Sequence, residues 1–159
     1  MTNEYKPTVL IVDDEEMVTV SLRNLFRLQS SYQIITRTSP LEALSGAGDH
    51  AVDLVITDYL MPEMDGITFL SRFKELQPQA IRILLTGYAD KENAIRAINS
   101  VGLYQYIEKP WDNDKLLMVV RNGIEKRSLL RTLEGKIAEL DRAHSSLKSL
   151  QTEIIKAFM

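Results

Sequence analysis

Five short apolar runs alternate with segments in which apolar residues recur every three or four positions. The runs are Thr8 to Val12, Tyr32 to Thr36, Val52 to Thr57, Ile81 to Leu85 and Leu103 to Ile107. Each is mostly apolar or β-branched, the pattern of a strand covered on both faces in a parallel sheet. Between them, Met17, Val18, Leu22, Leu25 and Phe26 keep helical spacing, as do Leu41 with Leu44, Phe69 with Phe73, and Ile95 with Ile98. Ser39-Pro40 and Asp65-Gly66 carry the residue types that open helices. Strand and helix alternating five times predicts a doubly wound α/β sandwich, which binds ligands beyond the carboxyl ends of its strands.

The pattern changes after Asp112. Leu130, Leu133, Ile137, Leu140, Leu147, Ile154 and Phe158 recur with 3/4 spacing, and His144 and Gln151 fill the remaining seam positions. This is the signature of a coiled coil, with polar seam residues that lower stability and fix register. A long helix packed on its own domain is the alternative, disfavoured because the five-strand unit is already complete. The expectation is a first domain over residues 1–125 and a coiled-coil linker over 126–159, pairing as a parallel homodimer through 130–158. The seam runs to Met159 with no capping signal, so a longer protein is expected.

Composition narrows the chemistry. The chain holds 159 residues and no cysteine, which excludes disulfides, thiolate metal sites and thiol catalysis. His50 and His144 lie far apart, so no histidine metal cluster is expected. No apolar run reaches the ~20 residues needed to span a bilayer, and Met1 to Lys6 has no signal-peptide core, so a cytoplasmic protein without membrane contact is expected. Residues 1–125 carry 18 acidic and 12 basic residues, whereas 126–159 carry 4 and 7. An acidic body suits a divalent cation better than nucleic acid, and the basic tail lacks a dense Lys/Arg cluster, so no nucleic-acid partner is expected for this chain.

The acids fall where a parallel sheet would use them. Asp13 and Asp14 follow the first run, Asp58 follows the third, Thr86 ends the fourth and Lys109 lies just past the fifth. Taken singly, each has an ordinary explanation: a solvated helix start, a cap, a turn or a surface lysine. Together, three carboxylates, a hydroxyl and an ammonium converge on one rim. Crowded carboxylates repel, and a divalent cation relieves them; hard oxygen donors select Mg²⁺. A carboxylate can also attack phosphorus and form an acyl phosphate, with the lysine and hydroxyl placed to meet the phosphoryl oxygens.

Four stretches carry a family resemblance: Val9-Leu10-Ile11-Val12-Asp13-Asp14-Glu15, Asp58-Tyr59-Leu60-Met61-Pro62-Glu63-Met64-Asp65-Gly66, Leu85-Thr86-Gly87 and Tyr106-Ile107-Glu108-Lys109-Pro110. Over Lys6 to about Glu125 the chain resembles the receiver domain of two-component response regulators. The resemblance implies a flavodoxin-like sheet in the order 2-1-3-4-5 and a cis Lys109–Pro110 bond. It implies Asp58 as the acceptor of a phosphoryl group from a sensor histidine kinase. Asp13 or Asp14, Asp58 and the backbone carbonyl of Leu60 would hold Mg²⁺. Thr86 is implied as the switch hydroxyl, Tyr106 as the switch aromatic and Lys109 as the phosphate-contacting cation. Leu60 and Tyr88 stand at positions that tune phosphoryl lifetime in the family, and two bulky residues there are expected to slow self-hydrolysis.

Competing readings fail on order or spacing. Gly46 to Ala51 matches a loose dinucleotide-binding fingerprint but follows a helix and precedes a strand, the reverse of what that site needs. A haloacid-dehalogenase-like phosphatase would need a second Asp two residues after its nucleophile, where Asp13 is followed by Glu15. No enzyme activity beyond self-phosphorylation and self-dephosphorylation is expected. For the whole protein, the stretches Leu85 to Asp90 and Tyr104 to Trp111 resemble regulators that carry an HD-GYP-type cyclic-di-GMP phosphodiesterase or another signalling enzyme. The alternative is a receiver-only adaptor acting through protein contacts, and a DNA-binding output is a third option.

Overall fold

The computed structural model describes residues 5–158; Met1 to Glu4 and Met159 lie outside the described residues. Five strands, β1 (Thr8–Val12), β2 (Gln33–Arg37), β3 (Leu54–Asp58), β4 (Ile81–Thr86) and β5 (Gln105–Glu108), form one parallel sheet in the order β2-β1-β3-β4-β5. The helices between them are α1 (Glu16–Gln29), α2 (Pro40–Ser45), α3 (Gly66–Leu76) and α4 (Lys91–Ser100), and α5 (Asn113–Ala157) follows β5. The expected doubly wound sheet is therefore present. Its chain order reverses between β1 and β3, which places a crevice at the carboxyl ends of those two strands.

Two apolar cores sandwich the sheet, as strands buried on both faces require. Val9, Ile11, Leu54, Ile56, Ile83 and Leu85 face one way and pack with Leu22 and Phe26 of α1 and Leu116 and Val120 of α5. Leu10, Val12, Val55 and Leu84 face the other way and pack with Phe69, Leu70 and Phe73 of α3 and Ala94 and Ala97 of α4. The helix entries are built as their sequences predict. Ser39 Oγ accepts from Glu42 N–H at 3.3 Å and Asp65 Oδ1 from Thr68 N–H at 2.8 Å.

The strand limits differ from the apolar runs by one or two residues. Val52 is buried, but its N–H donates to Gln77 Oε1 at 2.7 Å instead of joining a ladder, so β3 starts at Leu54. At the other end Asp58 pairs with Leu85, which makes the acid the last residue of β3 and not the residue after it. Leu103 is likewise buried ahead of β5.

Two helices turn a different face inward from the one their large apolar residues predict. In α4 the sheet receives Ala94 and Ala97, while Ile95 and Ile98 remain 47% and 39% exposed. Alanines let the helix lie close to the sheet, where isoleucines would hold it off. In α2 Pro40 and Ala43 are buried and Leu41 is exposed. In α1 Leu22 and Phe26 are buried and Val18 and Leu25 pack against the same core as expected, while Met17 points to solvent and Thr19 is buried.

The described chain divides into two compact units between Arg127 and Ser128. In the first, Leu116, Val119, Val120, Gly123 and Ile124 of α5 are buried. Gly123 is needed there: a Cβ at this position would sit 2.9 Å from Leu54 Cδ1 and 3.1 Å from Ile81 Cγ2. The second unit is the remainder of α5, whose side chains are almost all exposed. Among the described residues no helix is long and apolar enough to cross a membrane.

Candidate functional site

Each acid reaches the crevice from a strand end. Asp13 follows β1, and its N–H donates to Arg37 O at 3.2 Å, which ties the turn to the end of β2. Asp58 ends β3 beside Leu85. Its neighbour Tyr59 is held by an N–H···O bond to Leu85 at 2.9 Å and accepts from Gly66 N–H at 2.7 Å. Gly66 permits that approach, because a Cβ there would lie 2.2 Å from Asp58 O. Lys109 follows β5, with its N–H donating to Thr86 O at 2.8 Å, and a cis peptide bond joins it to Pro110 as expected.

Carboxylate oxygens of Asp13, Asp14 and Asp58 lie within 4.8 Å of one another. Asp13 is wholly buried and Asp58 nearly so, while Asp14 is exposed. Lys109 Nζ stands 2.7 Å from Asp58 Oδ1 and 3.7 Å from Asp13 Oδ2. Glu15 N–H donates to Asp13 Oδ1 at 2.9 Å, but Asp13 Oδ2 is buried with no hydrogen-bond partner among the described residues. Burial pushes the Asp13 carboxyl up to about 6, and the Asp58 charge adds to the rise; the Glu15 N–H and the Lys109 ammonium oppose it. Burial alone would push the Lys109 ammonium down, but its hydrogen bond to Asp58 and the charges of Asp58 and Asp13 outweigh this and raise it.

An under-coordinated buried carboxylate oxygen facing a second carboxylate is the setting a hard divalent cation relieves. The donor set is all oxygen, so the residues present fit Mg²⁺ and not a softer metal. Asp13, Asp14 and Asp58 together make such an acidic pocket.

Thr86 is fully buried, and its hydroxyl donates to Gly87 O at 3.1 Å. Tyr106 is half-buried against the core that contains Ala94 and Ala97 of α4. Leu60 and Tyr88 are 63% and 80% exposed. The structure thus brings Asp13, Asp14, Asp58 and Lys109 together at the carboxyl edge, where Thr86 ends the neighbouring strand.

Sequence reasoning passed over several supporting groups. Gly66 reads only as a helix entry, although it also accommodates the Asp58 carbonyl. Thr57 Oγ1 donates to Asp58 O at 3.1 Å. Asn93 Nδ2 donates to the Tyr59 hydroxyl at 3.2 Å, linking α4 to the residue after Asp58. No spacing rule points to Asn93, since its partner is 34 residues away.

The chain belongs to the response regulator receiver domain family, whose family model matches residues 9–121. It is 34% identical over 139 residues to the hydrogenase transcriptional regulatory protein HoxA of Cupriavidus necator, a match covering 87% of this chain and 28% of HoxA. It is also 34% identical over 138 residues to the regulatory protein AtoC of Escherichia coli, covering 87% of this chain and 29% of AtoC. The chain therefore spans less than a third of these curated relatives. Among solved structures, the signal receiver domain of an HD domain-containing protein from Pseudomonas fluorescens is 35% identical with a TM-score of 0.73, covering 78% of this chain and 98% of that one.

Proposed function

We propose that this chain accepts a phosphoryl group on Asp58 from a sensor histidine kinase and relays the event through α5. The observation that carries this reading is the 2.7 Å contact of Lys109 Nζ with Asp58 Oδ1, beside the buried and under-coordinated Asp13. In the transfer, an Asp58 oxygen attacks phosphorus, the donor's P–N bond breaks and an acyl phosphate forms. Lys109 neutralises charge on the phosphoryl oxygens, and Asp58 is held in line by its strand position. Asp13, Asp14, Asp58 and the Leu60 carbonyl would hold Mg²⁺, which supplies further charge neutralisation when bound.

Thr86 and Tyr106 are the proposed switch. The phosphoryl group adds nearly two negative charges and three acceptor oxygens. The Thr86 hydroxyl leaves Gly87 O to donate to one of them, Tyr106 moves inward, and the surface of α4, β5 and the start of α5 shifts between two packings. Leu60 offers no polar group to orient an attacking water, and both Leu60 and Tyr88 are bulky, which supports a long-lived acyl phosphate. Incubation with acetyl phosphate and Mg²⁺ should add one phosphoryl mass increment, mapped to the peptide holding Asp58. A chelator should abolish it; an increment mapped elsewhere would reject the assignment.

The seam of residues 130–158 is proposed to pair two copies, because its large apolar side chains have no cover within the single chain. Light scattering on the full chain should report a dimer, and a version ending near Arg127 should lose it. For the output, the likeness to the receiver of an HD domain-containing protein supports an HD-GYP-type phosphodiesterase under receiver control. The likeness to HoxA and AtoC favours transcriptional control as the second reading.

A further inference from the structure

The proposed pairing of residues 130–158 can be built in more than one alignment, and the polar seam residues discriminate among them. With Leu130 at position a of the heptad, the later a positions are Ile137, His144, Gln151 and Phe158, while position d is aliphatic throughout, from Leu133 to Ile154. Both polar residues thus occupy the same heptad position. Antiparallel coils set a against d, so His144 would face Leu140 and Gln151 would face Leu133, each burying a polar group against hydrocarbon. A parallel coil slipped by one heptad sets Gln151 against Phe158 and Ile137 against His144. Only the parallel, in-register coil gives each polar side chain a polar partner, its own copy.

Strand number and flanks agree with this alignment. Ile137 at a, between Leu133 and Leu140 at d, is the combination that favours two strands. Parallel coils bring position g of one chain beside the next position e of the other. Lys136 then meets the partner's Asp141, and Leu150 meets the partner's Ile155. In the single chain Leu150 and Ile155 are 53% and 59% exposed, and Lys136 makes an exposed pair with Glu139 at 3.7 Å. The charges are complementary, and the apolar flanks widen the seam near its carboxyl end.

We propose that two copies pair parallel and in register, and that the facing His144 side chains make the pairing proton-sensitive; the inference rests on the dimer reading above. Each His144 packs into a hole formed by the partner's Leu140, Ala143, His144 and Leu147, with no other titratable or charged group. On its own helix the nearest charges are Asp141, three residues before, and Lys148, four after, both at position e flanking the adjacent leucine layers. Neutral imidazoles can hydrogen-bond across the layer, one donating and one accepting. Two imidazolium ions repel in a layer walled by leucine. Histidine is the side chain whose charge changes between pH 5 and 8, so pH 7.5 and pH 5.5 are the conditions to compare.

Sedimentation equilibrium of the full chain at pH 7.5 and pH 5.5 tests the layer. The dimer dissociation constant should rise by about tenfold at pH 5.5, and His144→Leu should remove most of that dependence. Because the natural chain has no cysteine, Gln151→Cys should form an interchain disulfide on oxidation, whereas Arg142→Cys, on the outer face, should not. A dimer whose pH dependence survives in His144→Leu overturns the proton-sensitive layer. A dimer that cannot be cross-linked through Gln151→Cys overturns the parallel register. A monomer at both pH values rejects the dimer reading itself and this inference with it.

Discussion

Residues 5–127 and 128–158 use the same apolar residue types to opposite ends. In the first unit Phe69, Phe73, Leu54 and Ile83 are covered by the chain's own strands and helices. In the second, Leu133, Ile137, Leu140, Leu147 and Phe158 stay 49–87% exposed. A strand alternating with a helix closes a core by itself; a single helix cannot cover its own stripe, and most of its stability must come from packing against something else. One unit therefore closes its own core, and the other leaves its apolar stripe uncovered in the single chain.

Core truncation gives the sharpest contrast between the units. Phe69→Ala should cost about 3–5 kcal/mol of unfolding free energy, whereas Leu133→Ala should leave receiver unfolding almost unchanged and weaken dimerisation instead. Urea titration followed by light scattering on both variants checks this, and a large loss of receiver stability in Leu133→Ala would erase the contrast.

Next in size is the cost of the acidic site. Asp13 is raised from 3.8 to about 6 in the folded protein, so between those pH values the folded state holds more protons than the unfolded one. Its contribution favours folding below about pH 4 and is lost as pH rises through about 6, by on the order of 3 kcal/mol. Stability curves of Asp13→Asn and the parent should diverge over that window. Saturating Mg²⁺ should recover stability in the parent at pH 7 and not in the variant.

Two helical glycines sharpen the comparison further. Gly123→Ala pushes a methyl toward Leu54 and Ile81 and should destabilise by about 1–3 kcal/mol. At Gly135 an added methyl would meet nothing within 4 Å, so Gly135→Ala should stabilise α5 by about 0.5–1 kcal/mol. Thermal unfolding of the pair should move in opposite directions. The smallest expected effect is kinetic: Leu60→Asn, by admitting a polar group near Asp58, should speed phosphoryl loss by about tenfold or less, and an unchanged half-life would remove Leu60 from that role.

Most of the receiver was legible in the sequence because both-face burial makes each strand a continuous apolar run. The acids were legible because a parallel sheet brings all carboxyl ends to one edge. What escaped was local. The inward faces of α2 and α4 rest on Ala43, Ala94 and Ala97, small residues that hydrophobic spacing underweights beside Leu41, Ile95 and Ile98, and in α1 Thr19 is buried where Met17 is not. Asn93 and Thr57 support the site through hydrogen bonds set by three-dimensional proximity. The buried oxygen of Asp13 follows from the depth of the crevice, which sequence does not encode by spacing.

The central claim is that Asp58 carries the phosphoryl group in a pocket completed by Asp13 and Lys109. Labelling the parent and Asp58→Asn with acetyl phosphate in Mg²⁺, with folding checked by circular dichroism, tests it most directly. The account predicts one phosphoryl group per parent chain and none on the variant. Equal, site-specific labelling of a folded Asp58→Asn protein would contradict it.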